Sequence, residues 1–307
     1  MKRRDFITKG IAAGVTTSAA FSLLKYNRVL GSGLESASLP YDMVAVKGGE
    51  PGVMFDKAIL SMGGMKSFVQ KNQTVVIKPN IGWDATPERA ANTNPHLVKR
   101  IVEHCFTAGA KDVYVFDYTC DNWERCYKNS GIEVAVKEAG GKMVPGNFEK
   151  YFHEVSVSKG KKLKSAKEHE LILESDVFIN VPVLKDHGGA RLSIAMKNLM
   201  GAIWDRRYFH RNDLHQCIAD FTTYRKPDLN VVDAYRVLKK NGPRGVSVND
   251  VSLVKAQLIS TDIVAVDAAA TKIFGLEPSA IGHILNAHQM GVGEIDLSKL
   301  NINRVQV

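Results

Sequence analysis

Cysteine is scarce: Cys105, Cys120, Cys126 and Cys217 are all that 307 residues contain. That excludes a scaffold built on disulfides. No ferredoxin-type cysteine run or zinc-ribbon spacing is present, so no intrinsic iron–sulfur cluster is expected. Cys120 and Cys126 lie close enough in sequence to pair if the chain is exported, but buried or merely neighbouring thiols fit better. With only 25 Gly and 10 Pro, collagen-like and mucin-like chains are also excluded. No strand-following Gly-x-Gly-x-x-Gly, no Walker loop and no Gly-x-Ser-x-Gly elbow occurs, which removes support for nicotinamide, P-loop and serine-hydrolase chemistry.

Charge of one sign is in modest excess. The chain carries +9 overall, but Lys2, Arg3, Arg4, Lys9, Lys25 and Arg28 stand against Asp5 in residues 1–33, so the remainder carries only +4. No basic stripe interleaved with aromatics is present, which argues against nucleic acid as a partner. The basic start is an address. Lys2-Arg3-Arg4-Asp5-Phe6-Ile7 precedes an apolar run over 10–24, the order of a signal peptide with a paired-arginine, Tat-like n-region. That run is shorter than the ~20 residues a membrane span needs. Residues 1–37 are therefore expected to be signal peptide and linker, engaging the Tat export machinery. Gly31-Ser32-Gly33 offers small residues without a clean cleavage site, so both a periplasmic product and one anchored by an uncleaved signal fit.

From residue 38 to 307 a single α/β domain is expected. Runs at 43–46, 74–77, 112–116, 177–181, 229–232 and 257–260 are rich in β-branched residues and read as strands, several of them apolar throughout, as strands covered on both faces are. Helical patterns at 53–70, 95–108, 124–139, 213–224, 262–274 and 278–289 alternate with them. This alternation predicts a mostly parallel sheet with helices on both faces. A β-hairpin insertion is expected from 151–158 and 161–166 about Lys159-Gly160.

Ligands of such sheets bind beyond the carboxyl ends of the strands. Four strands here end in polar residues: Lys78 and Asn80, Asp117, Lys185 with Asp186 and His187, and Asp233. Between 183 and 220 lie the richest candidates. Gly188-Gly189 can bring backbone amides to an anion. Lys197-Asn198 sits among apolar residues, where an unpaired amine is costly and needs a carboxylate, a bound anion or a lowered pKa. His187, His210 and His215 hold a metal only if His210 precedes the helix that carries His215, so proton-transfer roles fit the spacing better. Asn241-Gly242-Pro243-Arg244-Gly245 is a turn that offers one arginine.

These segments, from Lys78-Pro79-Asn80 and Asn92-Thr93-Asn94-Pro95 through Val181-Pro182-Val183-Leu184-Lys185-Asp186-His187 and Lys197-Asn198-Leu199-Met200-Gly201, resemble the domain-of-unknown-function 362 family. The match continues through His215, Asp220, Val232-Asp233-Ala234, Gly242-Pro243-Arg244-Gly245 and Asp262-Ile263-Val264-Ala265-Val266-Asp267. It spans about 40–290. The resemblance implies an α/β fold, sometimes exported and sometimes fused to ferredoxin-type modules, and conveys no reaction. Members with cluster-binding cysteines differ from this chain, which has none.

Two readings follow. In the first, the protein is an enzyme acting on a small anionic metabolite, a carboxylate or phosphate. Lys78, Lys185 and Arg244 neutralise it, Asn80, Asn198 and Asp233 complete its site, and Lys197, His187 or His215 moves a proton. In the alternative, it is a non-catalytic ligand- or cofactor-binding or maturation accessory of an exported redox partner. Neither names the cofactor.

Overall fold

The computed structural model describes residues 38–307, and the signal-type segment over 1–37 lies outside them. Its strands are β1 (Met43–Lys47), β2 (Thr74–Pro79), β3 (Asp112–Val115), β4 (Lys142–Met143), β5 (Phe152–Ser156), β6 (Ser165–His169), β7 (Val177–Val181), β8 (Val183–His187), β9 (Arg191–Ser193), β10 (Leu229–Leu238), β11 (Val251–Ser260) and β12 (Ile302–Gln306). Its helices are α1 (Pro51–Ser61), α2 (Pro95–Ala108), α3 (Trp123–Asn129), α4 (Ile132–Glu138), α5 (Glu170–Glu174), α6 (Ala195–Asn198), α7 (Arg207–Arg211), α8 (Leu214–Tyr224), α9 (Ile263–Phe274) and α10 (Gly282–Gln289).

The main sheet runs in the order β12-β1-β11-β10-β7-β2-β3-β4, with β8 beside β10 and β9 beside β8. It is mostly parallel: β10, β7, β2, β3 and β4 share one direction, and β11 runs against both of its neighbours. Leu39–Val307 forms one compact unit. Among the described residues no helix is long and apolar enough to cross a membrane.

Because successive strand residues point to opposite faces, each central strand feeds two cores. Val75 and Ile77 of β2 join the core containing Phe55 of α1 and Leu97 and Ile101 of α2. Val76 joins the opposite core with Met196 of α6, Ile218 of α8 and Val266 of α9. The same alternation turns Lys78 toward the α6 face.

Local sequence explains where the elements stop. α2 starts at Pro95 with Asn94 accepting from the His96 amide at 3.0 Å, and ends at Gly109 with φ near 109°. The helix expected over 124–139 is two, broken at Ser130-Gly131, and the one expected over 53–70 ends at Ser61, before Gly63-Gly64. The expected insertion hairpin forms from β5 and β6, with its second strand at 165–169 rather than 161–166. A second hairpin, β8–β9, turns about Gly188-Gly189 just after β7. β10 and β11 each run ten residues, well past the short apolar runs that mark them in the sequence.

Candidate functional site

The site begins with an ion pair laid into the protein. Lys78, at the end of β2 and fully buried, places Nζ 2.7 Å from Asp117 Oδ1, just beyond β3. Nζ also donates to Asn198 Oδ1 (3.1 Å) and to the Pro79 carbonyl (3.0 Å). An ammonium has three hydrogens, so all of Lys78 is committed. Asp117 Oδ2 accepts from the Ile81 amide at 2.7 Å. Burial pulls the Lys78 pKa down, and the Asp117 charge opposes that shift.

Asn198 is equally committed. Its Oδ1 accepts from Lys78 and from Asn80 Nδ2 (3.0 Å), and its Nδ2 donates to the Lys78 carbonyl (3.2 Å) and to Asn180 Oδ1 (2.9 Å). Asn180 in turn donates to Asn230 Oδ1 at 3.0 Å. This amide layer stitches β2, β7 and β10 to α6. Asp267 of α9 holds α6 in place by accepting from the Ala195 and Met196 amides at 2.7 and 3.1 Å. Gly201 lets the layer close, since a Cβ there would overlap Asp117 Oδ1 and lie 2.7 Å from Lys78 Nζ.

Above this floor the donors are not used up. The β8–β9 register sets Lys185 opposite Ser193 and His187 opposite Arg191, so Lys185, His187 and Ser193 share one side of the hairpin. Lys185 Nζ donates to Asn80 Oδ1 (3.0 Å) and the Ala91 carbonyl (2.5 Å), which leaves one hydrogen. Both acceptors are neutral. Burial lowers its pKa to about 7, and the charges of Lys197 and Lys78 act in the same direction. The Lys197 amine makes no hydrogen bond or ion pair with any described residue. Burial lowers its pKa to about 8, opposed by Cys120 and reinforced by Arg206 and Lys78.

His187 has a fixed tautomer. Its Nδ1 accepts from the Gly189 and Ala190 amides at 3.1 and 3.0 Å, so the neutral ring carries its proton on Nε2. Burial and the neighbouring amines of Lys197 and Lys185 keep it neutral, with a pKa of about 3. His187 is thus built to donate through Nε2 rather than to take a proton.

These groups line one cavity of about 410 Å³, whose walls include Lys78, Asn80, Lys185, His187, Lys197 and Asn198. Tyr118, Cys120, Ser193, Arg206, His210, Gly242 and Pro243 complete much of the rim. Arg206 lies over the Tyr118 ring at 4.0 Å and donates to the Tyr118 and Thr119 carbonyls, fixing the loop after β3.

Three expected site residues do not reach this cavity. Asp233 accepts from the Asn94 and Tyr235 amides (2.8 and 3.0 Å), tying β10 to the start of α2; burial raises its pKa to about 6. His215 Nδ1 lies 3.1 Å from His283 Nδ1 and accepts from the His283 amide. Arg244 is exposed and its guanidinium lies 3.8 Å from Asp121, although the neighbouring Gly242 and Pro243 do line the cavity. The three-histidine metal set is not assembled: His187 stacks with His210 at 6.3 Å, whereas His215 stacks with His283. Among the described residues no group of three or more His, Cys, Asp or Glu side chains is placed to hold a metal ion. All four cysteines are free, Cys120 exposed and Cys126 buried. Ser193 and Arg206 carry no signal in the sequence beyond lying near the polar strand ends, and Gly201 and Asp267 are marked there only by the motifs that contain them.

The model of the family described as Domain of unknown function (DUF362) matches residues 75–272, a span that contains every cavity residue named above. The chain belongs to this family. A thylakoid-associated protein of Synechocystis sp. is 24% identical over 246 residues, 75% of this chain and 72% of that protein. Two solved structures are similar at low identity. The lactate racemase apoprotein of Thermoanaerobacterium thermosaccharolyticum is 10% identical with a TM-score of 0.45, matching 80% of this chain and 56% of its own. A Thermotoga maritima protein is 9% identical with a TM-score of 0.46, over 78% of this chain and 60% of its own. The chain therefore spans less than two thirds of the length of either structure, and neither likeness carries a reaction to it.

Proposed function

We propose that the protein binds a small anionic metabolite, a carboxylate or a phosphate, in this cavity and moves a proton on it. One observation carries the reading: Lys197 presents an amine with no partner in the cavity that Lys185 also lines, the partners of Lys185 are neutral, and the one carboxylate among the described lining residues, Asp117, is already spent on Lys78. Two crowded amines without a counter-charge favour an anion, because each charge-assisted hydrogen bond to it relieves their mutual repulsion. In this reading Lys185 and Lys197 neutralise the ligand, Asn80 offers its remaining amide hydrogen, and His187 Nε2 donates. With a pKa of about 8, Lys197 divides near pH 7–8 between the ammonium that holds the anion and the neutral amine that accepts a proton. Lys78 and Asn198 form the floor that sets these groups in register and do not touch the ligand.

The test is calorimetric titration of phosphate and of pyruvate into the wild-type protein and into Lys197→Met. Saturable binding that weakens in the variant is the expected result. Equal affinity in the two proteins, or no binding of either anion, removes the reading.

The paired arginines Arg3-Arg4, with Phe6-Ile7 and the apolar run after them, support a second element of the proposal, export by a Tat-type route. Replacing Arg3-Arg4 by Lys-Lys is expected to retain the protein in the cytoplasm. Unaltered export of that variant contradicts it.

A further inference from the structure

We propose that Lys197 forms an imine with the carbonyl carbon of a small 2-oxo carboxylate bound in the cavity. The inference rests on the anion-binding reading above and narrows its ligand class. Count of donors selects the residue. Lys78 has none of its three hydrogens free and Lys185 has one, whereas the Lys197 amine is wholly uncommitted and borders the same space. Two adjacent lysines of unequal freedom suit a ligand that carries an anion and an electrophile on neighbouring carbons. The carboxylate meets the remaining Lys185 hydrogen, and the carbonyl beside it meets Lys197. The fixed His187 tautomer supplies a hydrogen bond from Nε2 to the carbonyl oxygen as it gains charge.

The step balances without an outside reagent. The neutral amine attacks the carbonyl carbon, a C–N bond forms, and the carbonyl π pair moves to oxygen. The nitrogen gives one proton to that oxygen; the resulting hydroxyl then leaves with the second as water, and the C=N bond remains. Desolvation and the surrounding cations favour the neutral amine this needs, and at pH 8 they leave about 100-fold more of it than an ordinary exposed lysine has. Neither a metal nor a redox partner enters.

The experiment is reductive trapping on the full chain: pyruvate with cyanoborohydride at pH 8, followed by peptide mapping by mass spectrometry. One reduced pyruvyl group is expected at Lys197, at a yield at least about tenfold above any exposed lysine such as Lys159. It is expected to be absent from Lys197→Arg, which keeps the charge and cannot form the imine. Scattered labelling with no excess at Lys197, while calorimetry still shows pyruvate binding, overturns the imine and leaves anion binding standing. No labelling together with no binding overturns both.

Discussion

Lys78 and Lys197 lie on one cavity wall and differ in almost everything else. Lys78 is wholly buried, paired with Asp117 and short of no acceptor. Lys197 is half-buried and pairs with nothing described. The first lysine is part of the architecture and the second is a surplus charge held in place by that architecture. Residue type and a place on the cavity lining are shared; what separates their roles is how many hydrogen bonds the protein has already made to each.

The largest expected effect breaks the floor. Lys78→Met leaves Asp117 buried without its partner and is expected to cost about 3–5 kcal/mol of stability in chemical denaturation. An unchanged midpoint would show that the pair is not structural. Gly201→Ala attacks the same layer from the other side, forcing a methyl against Asp117 and Lys78, and is expected to destabilise comparably.

Lys197→Met sharpens the contrast. It removes a desolvated charge that no protein group compensates, so stability holds or rises while phosphate affinity falls about 10-fold or more, the worth of a charge-assisted hydrogen bond. A drop in stability like that of Lys78→Met would erase the distinction between the two lysines.

pH separates them further. Folded-state pKa values of about 7 for Lys185 and about 8 for Lys197 lie below that of a lysine in the unfolded chain. Between pH 7 and 10 the unfolded chain therefore binds more protons, and stability rises with pH across that window. Anion affinity moves the other way, because the ligand needs the charged amines. A thermal-melt series and a titration series over pH 7–10 should thus slope in opposite senses; parallel slopes would contradict the assignment. Smallest of all is Arg244→Ala. Its guanidinium is exposed and turned to Asp121, so phosphate affinity should stay within about twofold, as measured by the same calorimetry.

Much of the fold was legible because apolar β-branched runs and capped helices mark a covered sheet, and Asn94-Pro95 and Asp262 start helices as read. The extensions of β10 and β11 were not, since the half-exposed stretch 251–255 mixes serine and lysine with its apolar residues. The strand-end rule picked out Lys78, Asn80, Lys185 and His187, and the apolar surroundings of Lys197-Asn198 picked out that pair; all six line one cavity. The strand-end rule also nominated Asp233, the histidine set nominated His215 and the Gly/Pro turn nominated Arg244; these cap, pair or face solvent, because a position in the sequence leaves side-chain direction open. Nothing in a linear sequence says that Lys78 has met Asp117, Asn198 and a carbonyl while Lys197 has met none. That depends on α6 docking under Asp267 and on a glycine at 201, contacts between segments far apart in the chain.

The most direct measurement is an NMR titration of protein labelled with 13C at the lysine ε-carbon, signals assigned by loss in Lys185→Met and Lys197→Met. Two lysines are expected to titrate near pH 7 and 8, and phosphate is expected to move both upward. If every lysine titrates above pH 10, or phosphate shifts neither signal, the cavity holds no uncompensated amines and the account fails.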